Sequence, residues 1–173
     1  LVPPAEAVSI ALELADLAER ELKDAALSER ALRHALALEP ARTQTRTRLR
    51  ELLRAQGQFA PLCEMLEQDL PLAAMPLEQA ALLREIATLR ATQLGDANGA
   101  VAALERAVAL APEDRSGLLA LCDLYLSAGR SREAIAVLEK LIASYAGRRA
   151  KEVAVYEHRL GQAYEVLGQP DDA

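Results

Sequence analysis

Large aromatic side chains are scarce in this chain of 173 residues, which has four Tyr, one Phe and no Trp. A compact helical domain of this length would normally bury several such rings, so the core must be built from smaller side chains. Gly and Pro together supply only 16 residues, whereas Ala and Leu supply 68. This composition is rich in helix formers and too poor in β-branched and aromatic residues for a sheet protein. We therefore predict an all-α fold.

Clustered positive charge and long apolar runs are also missing. The formal net charge is −6, and the sequence holds no uninterrupted run of 18 apolar residues. Binding to nucleic acids or anionic membranes is driven by clustered positive charge, and a membrane-spanning helix needs a long apolar run. We expect no nucleic-acid partner and no insertion into a membrane.

Residues suited to catalysis or metal binding are few and scattered. Cys63 and Cys122 lie far apart without Cys/His spacing, and we expect them to be buried thiols in a reducing compartment, the cytoplasm. The two histidines, His34 and His158, also lie far apart, and the sequence contains no P-loop and no HExxH motif. We predict no enzyme activity, cofactor or metal in this segment. Because the chain starts at Leu1 without a Met, we expect it to be part of a longer protein.

An internal repeat appears when the sequence is aligned with itself at an offset of 72 residues. Residues 4–70 then match 76–142 without a gap, and 19 of the 67 pairs are identical. Chance would give roughly a tenth in a composition this biased, so the repeat is real. The identical pairs include Ala35/Ala107 and Gly57/Gly129.

The pattern of each 72-residue block predicts two helical hairpins. Within 115–144 the apolar residues form one helical stripe on each side of a break at Gly129, and small residues stand where two helices would touch. Gly129 suits the left-handed residue that ends a helix, and Ala107 should be buried at a helix crossing. We expect breaks near 23–25, 40–42, 56–59, 74–77, 95–98, 112–114, 128–131 and 147–152.

The hairpins resemble the tetratricopeptide repeat, a family of helix-turn-helix units of roughly 34 residues. The best match places Leu118, Leu121, Cys122, Tyr125, Gly129, Ala134, Leu138 and Leu141 on the family's consensus positions. The second-helix positions are matched by Ala100, Leu104, Ala107 and Pro112, and the final hairpin by Leu160, Gly161, Tyr164, Gly168 and Ala173. The turns at 21–24 and 93–96 depart from the family, since each arrives one residue late.

The resemblance implies an α-solenoid of antiparallel helix hairpins with a right-handed superhelix, in one segment spanning 1–173. We assign five units, at 4–40, 41–75, 76–112, 113–147 and a truncated 153–173. Because the last hairpin lacks most of its second helix, we expect its stripe to be exposed or covered by a second copy. That stripe comprises Tyr156, Leu160, Ala163, Tyr164 and Leu167.

The resemblance also implies that the first helix of each hairpin, here called the leading helix, lines a concave surface for a protein or peptide partner. At the family's contact positions the chain offers Arg48, Glu51, Arg84, Thr88, Leu119, Asp123 and Leu126. The same positions hold His158, Arg159 and Gln162 in the last hairpin. The family's clamp for chaperone tails needs Lys and Asn, which these positions lack, so we do not expect such a ligand.

Charge separates the first two leading helices. Glu13, Asp16, Glu19 and Glu21 make the first one acidic, and Arg42, Arg46, Arg48, Arg50 and Arg54 make the second one basic. The arginines either anchor an acidic partner segment or pair with the acidic helix and fix the stacking of the two hairpins. Two functions follow: an interaction scaffold that binds a partner peptide or helix, or a structural spacer within a larger protein without a separate ligand.

Overall fold

The computed structural model describes residues 3–145 and 151–168, and every described helix falls where the apolar periodicity predicts one. The helices are α1 (Pro4–Leu17), α2 (Ala25–Leu38), α3 (Thr43–Ala55), α4 (Phe59–Asp69), α5 (Pro76–Thr92), α6 (Ala97–Leu110), α7 (Arg115–Ser127), α8 (Ser131–Ala143) and α9 (Lys151–Leu167). A π-helical turn, Ala18–Leu22, extends α1, and a 3₁₀ turn, Leu70–Leu72, extends α4. No strand occurs in the described ranges, and the all-α prediction is confirmed. Most of the predicted break at 147–152, and the family match at Ala173, lie outside the described residues.

The chain divides into two compact units, Leu1–Met65 and Leu66–Ala173. In the first unit, α1 packs against α2 and α2 against α3. Ala15, Ala31 and Ala35 are fully or almost fully buried in these helices, together with the larger Leu32 and Leu49. Small side chains allow close helix approach, as the scarcity of aromatics predicts. The finer division into five repeat units remains a prediction.

In the second unit, α5 packs on α6, α6 on α7, α7 on α8 and α8 on α9. Ala107 is 1% exposed, which confirms its predicted burial at a helix crossing. The predicted core stripes of α7 and α8 are buried throughout, namely Leu118, Leu121, Cys122, Tyr125, Ala134, Leu138 and Leu141. Burial raises the pKa of the Cys122 thiol to about 11, with a smaller contribution from Asp123, so this thiol stays protonated at neutral pH.

The turns repeat at the backbone level after 72 residues. Gly57 and Gly129 adopt φ of 69° and 70°, and each follows a helix whose last carbonyls are capped in the same way. The N–H of Gln58 donates to Leu53 at 2.9 Å, and that of Arg130 donates to Tyr125 at 2.8 Å. These are the bonds of a left-handed helix cap, so the prediction for Gly129 is confirmed.

The late turns of α1 and α5 accommodate their extra residue by widening the last helical turn. In α1 the residues Ala18–Leu22 form a π-helical turn, and in α5 the N–H of Leu94 donates five residues back to Leu89 at 3.2 Å. Both turns then pass through a left-handed residue, Lys23 at φ 52° and Gly95 at φ 66°. A π turn is the ordinary way for a helix to absorb one inserted residue.

The expectation for the last hairpin is wrong in part. Tyr156 and Ala163 are buried, because the leading helix α9 also packs on α8 of the preceding hairpin. The large apolar side chains that α9 leaves exposed lie on another face and are Val155 and Val166, 51% and 76% exposed. Tyr145 packs against Tyr156 with ring centroids 6.0 Å apart, so Tyr145 contributes to the packing of α9.

Candidate partner-binding surface

In the first unit, Arg48 on α3 is held by two carboxylates of the preceding leading helix. Its Nη1 lies 2.5 Å from Asp16 Oδ1 and its Nη2 lies 3.0 Å from Glu19 Oε2. The buried Ser28 hydroxyl donates to the same Glu19 carboxylate at 2.6 Å. Only 27% of the Arg48 side chain is exposed. The acidic and basic leading helices therefore pair with each other at this point, as the stacking interpretation predicts.

The pKa of Glu19 records this pairing. Burial alone would raise the pKa of Glu19, but hydrogen bonds from Arg48 and Ser28 outweigh it and hold the pKa below its ordinary value of 4.5. A lowered carboxylate pKa means that the charged form is the one that the fold stabilises. Glu51, one helical turn after Arg48, is exposed.

The other arginines of this basic helix also make contacts in its vicinity. Arg42 Nη1 donates to Glu39 at 2.8 Å, and Arg46 Nε donates to the carbonyl of Pro40 at 2.6 Å. The second bond links α3 to the end of the preceding hairpin, since the Arg46 guanidinium satisfies the Pro40 carbonyl.

In the second unit, Arg84 on α5 pairs with Asp114, which precedes α7. Arg84 Nη1 lies 2.8 Å from Asp114 Oδ2, without the alignment of a hydrogen bond, while Asp114 Oδ1 accepts from the N–H of Ser116 at 3.1 Å. Asp114 therefore has two roles: it caps the N-terminus of α7, and it neutralises the charge of Arg84. Thr88, one turn further along α5, is exposed and donates to the Arg84 carbonyl at 2.9 Å.

The predicted contact residues of α7 share one helical face, because Leu119, Asp123 and Leu126 are spaced by four and three residues. Leu119 and Leu126 are half-buried and Asp123 is exposed. Arg159 Nη1 of α9 donates to Asp123 Oδ1 at 2.6 Å, so this face continues onto the next leading helix. His158 and Gln162 are exposed on α9, with their Nε2 atoms 3.1 Å apart.

Sequence reasoning found these residues but missed two of their partners, Asp114 for Arg84 and Arg159 for Asp123. The first could have been found, since an Asp that directly precedes a predicted helix is a capping residue fixed at the end of the neighbouring turn. The second pair is separated by 36 residues, and which side chains meet across that distance depends on the register of two hairpins.

No group of three His, Cys, Asp or Glu residues among the described side chains could hold a metal ion. No helix in the described part of the chain is long and apolar enough to cross a membrane. His34 lines a shallow apolar depression of about 320 Å³ between α1 and α2 of the first unit.

The helix pairs, left-handed turns and small-residue contacts define a class of protein built from repeated helical hairpins. Residues 91–154 match the family model of the tetratricopeptide repeat, which confirms the resemblance. No curated protein sequence matches the chain significantly.

Solved structures extend the fold beyond those residues. The protein MamA is 23% identical over 96% of this chain and 86% of its own, with a TM-score of 0.61. A tetratricopeptide repeat protein from Parabacteroides merdae is 18% identical over 95% of this chain and 62% of its own, with a TM-score of 0.62. YrrB, described as a tetratricopeptide repeat protein with an unusual peptide-binding site, is 17% identical over 94% of this chain and 78% of its own, with a TM-score of 0.58. The chain therefore has a tetratricopeptide-like α-solenoid fold.

Proposed function

We propose that the chain is a non-catalytic scaffold that binds a peptide or helix of a partner protein on the leading helices of its second unit. The proposed face comprises Arg84 and Thr88 on α5 and Leu119, Asp123 and Leu126 on α7. The observation that carries the proposal is the α7 face, where two half-buried leucines flank an exposed carboxylate. Apolar side chains beside a fixed charge supply both affinity and orientation to a docked peptide.

The first unit contributes less to this proposal. Arg48 is committed to Asp16 and Glu19, so its role in the proposed scaffold is to hold two helices together. A partner could recruit Arg48 only by breaking both ion pairs, and Glu51, which is exposed on the same helix, lies outside the proposed face.

The alternative is a structural spacer or regulatory segment of a larger protein, with no separate ligand. The internal pairing of Arg48 and Arg84 favours it, since both arginines are occupied within the chain. The low aromatic content favours it as well, because binding hot spots are enriched in Trp and Tyr.

Substitutions on the two kinds of residue separate these functions. The double change Leu119→Ala/Leu126→Ala should reduce the capture of a partner from a lysate of the source cells, measured by quantitative mass spectrometry. The change Arg48→Ala should loosen the fold more than it alters capture, because Arg48 lies outside the proposed face and pairs with Asp16 and Glu19. Leu38→Ala/Leu110→Ala is the matched control, since these two exposed leucines are equivalent in the 72-residue repeat and lie on trailing helices, the second helices of their hairpins.

A scaffold requires that the leucine change on α7 lowers capture while the control change does not. Equal capture by all three variants would support the spacer. We further propose a cytoplasmic location and a protein partner in place of a nucleic acid.

We also propose that the chain associates with a second copy of itself. Val155 and Val166 leave apolar surface exposed on α9. Sedimentation velocity over a range of concentrations should show association that weakens after Val166→Lys, and a strictly monomeric wild-type chain would contradict it.

A further inference from the structure

A groove in the second unit lies on the side of the hairpins away from the proposed partner-binding face. It is flanked by the trailing helices α6 and α8, floored by α7 and has a volume of about 890 Å³. The floor consists of Leu118, Leu121 and Tyr125, all of which are buried. The leucines at the floor are core residues of the fold, so the groove has a rigid, apolar base.

Small side chains keep the groove open. Ala109 of α6 and Ala136 of α8 both line it and are exposed, with Val108 and Val137 below them on the two walls. A methyl group at each rim leaves room for a peptide side chain to reach the valines. The walls are therefore apolar, with the two alanines exposed, Val108 half-buried and Val137 buried.

The charges on the groove are mostly negative. Its lining includes three glutamates, Glu105, Glu113 and Glu133, and one lysine, Lys140. An acidic partner segment would meet like charge along the groove, whereas a basic one would meet opposite charge.

At one end of the groove, a positively charged side chain of the same chain, Arg130, is already bound. The guanidinium of Arg130 lies 4.5 Å from the centroid of the Tyr125 ring, and its Nε donates to Glu133 at 2.8 Å. Its Nη2 lies 3.9 Å from Glu105, which accepts a 2.6 Å hydrogen bond from the Tyr125 hydroxyl. Two carboxylates and one aromatic face thus surround one arginine, and one negative charge is left over at this end.

We propose that this groove is a second docking site, which binds a peptide segment of a partner that carries apolar side chains next to Lys or Arg. The apolar side chains enter between Val108 and Val137, and the basic residue pairs with the carboxylate charge that Arg130 leaves uncompensated. This inference goes beyond the proposed function, since it uses the trailing helices and the opposite side of α7, and none of the residues of the proposed partner-binding face. The two sites would let one unit hold two segments at once.

Selection from a phage-displayed library of short random peptides on the whole chain tests the site. We expect the recovered peptides to combine apolar residues with Lys or Arg. Synthetic copies, measured by fluorescence polarisation, should bind about tenfold or more weakly to Ala136→Trp, because the indole fills the groove and displaces a buried apolar side chain. Ala136 is exposed, so the new ring should leave the core packing unchanged. Circular dichroism checks that the fold is retained.

Two further variants make the result specific. Ala102→Trp is the matched control, since Ala102 is an exposed alanine of α6 outside the groove lining, and it should bind like the wild type. Glu105→Gln/Glu133→Gln should weaken binding and reduce its dependence on salt. Leu119→Ala/Leu126→Ala should leave it unchanged, which separates this site from the proposed partner-binding face.

The proposal is overturned if no peptide is selected, if the selected peptides lack basic residues, or if they bind Ala136→Trp as well as the wild type. Peptides that lose affinity only for Leu119→Ala/Leu126→Ala would support the leading-helix face and contradict the groove.

Discussion

Helices α3 and α7 stand 72 residues apart in the repeat, one in each unit, and end in the same backbone geometry. Gly57 and Gly129 differ in φ by only one degree, and the capping bonds after them agree to within 0.1 Å. Their outer faces share a carboxylate at the central position but differ on either side of it. Thr47, Glu51 and Arg54 on α3 stand where α7 has Leu119, Asp123 and Leu126.

This difference separates what makes a hairpin from what makes a binding surface. The repeat retains glycines at turns and small residues at helix crossings, since backbone conformation and close packing tolerate few alternatives. Surface positions tolerate many different residues. The face of α3 is therefore charged and pairs with α1, whereas the face of α7 is partly apolar and partly acidic. A binding surface should accordingly be sought where the two copies differ.

The largest expected effect tests what the copies share. Ala35 and Ala107 are equivalent and both fully packed. Ala35→Trp and Ala107→Trp should each lower the free energy of unfolding by about 1–3 kcal/mol or more through overpacking. Thermal and urea denaturation followed by circular dichroism measure it.

The neighbouring alanines provide a control for this pair. Ala37 and Ala109 are also equivalent but exposed, so Trp should be tolerated at both. If Ala107→Trp leaves the melting temperature unchanged, the close helix crossing is not what holds the hairpin together.

An intermediate effect concerns a left-handed turn position at which the two copies carry different residues. Lys23 and Gly95 occupy equivalent left-handed positions, and only the first carries a side chain. A Cβ in this region costs about 1 kcal/mol, so Lys23→Gly should stabilise the chain and Gly95→Lys should destabilise it by about that amount. Urea denaturation of both variants checks the opposite signs, and a shift in the same direction would contradict this account of the wide turns.

The smallest expected effect concerns a feature of the first unit, the ion pairs between Arg48 and the carboxylates of Asp16 and Glu19. Arg48→Ala should cost about 0.5–1 kcal/mol at neutral pH, since its ion pairs with Asp16 and Glu19 are partly exposed. Arg33→Ala, which removes a more exposed arginine and its single i,i+4 pair with Glu29, is the control and should cost less.

The pH dependence sharpens this prediction. Because the folded pKa of Glu19 lies below 4.5, its pairing stabilises the fold fully above that pH and the contribution is lost as the pH falls through the folded pKa. The difference in unfolding free energy between wild type and Arg48→Ala should therefore shrink on acidification. A difference that stays constant down to pH 3 would show that Arg48 acts through packing alone.

Much of the fold could be predicted from sequence, because the periodicity and the turn residues act locally. The apolar stripe of α7 and the left-handed turn at Gly129 needed no tertiary information. The burial of Tyr156 did need tertiary information, since a leading helix packs on both its own hairpin and the preceding one. The predicted partner-binding residues stay a prediction, but the pairing of Arg84 with Asp114 shows why a list of positions is incomplete: a guanidinium finds its carboxylate through rotamers and loop geometry that spacing does not encode.

Site-specific photo-crosslinking at two equivalent positions tests the central claim most directly. A photoreactive phenylalanine analogue is placed at residue 119 on α7 or at residue 47 on α3, and the chain is irradiated in a lysate of the source cells. Both side chains are half-buried on the same face of equivalent helices, so they are matched in exposure and in backbone setting. We predict a discrete crosslinked partner from position 119 and none from position 47. The same partner at equal yield from both positions, or none from either, would contradict a partner-binding surface confined to the copy whose face is apolar.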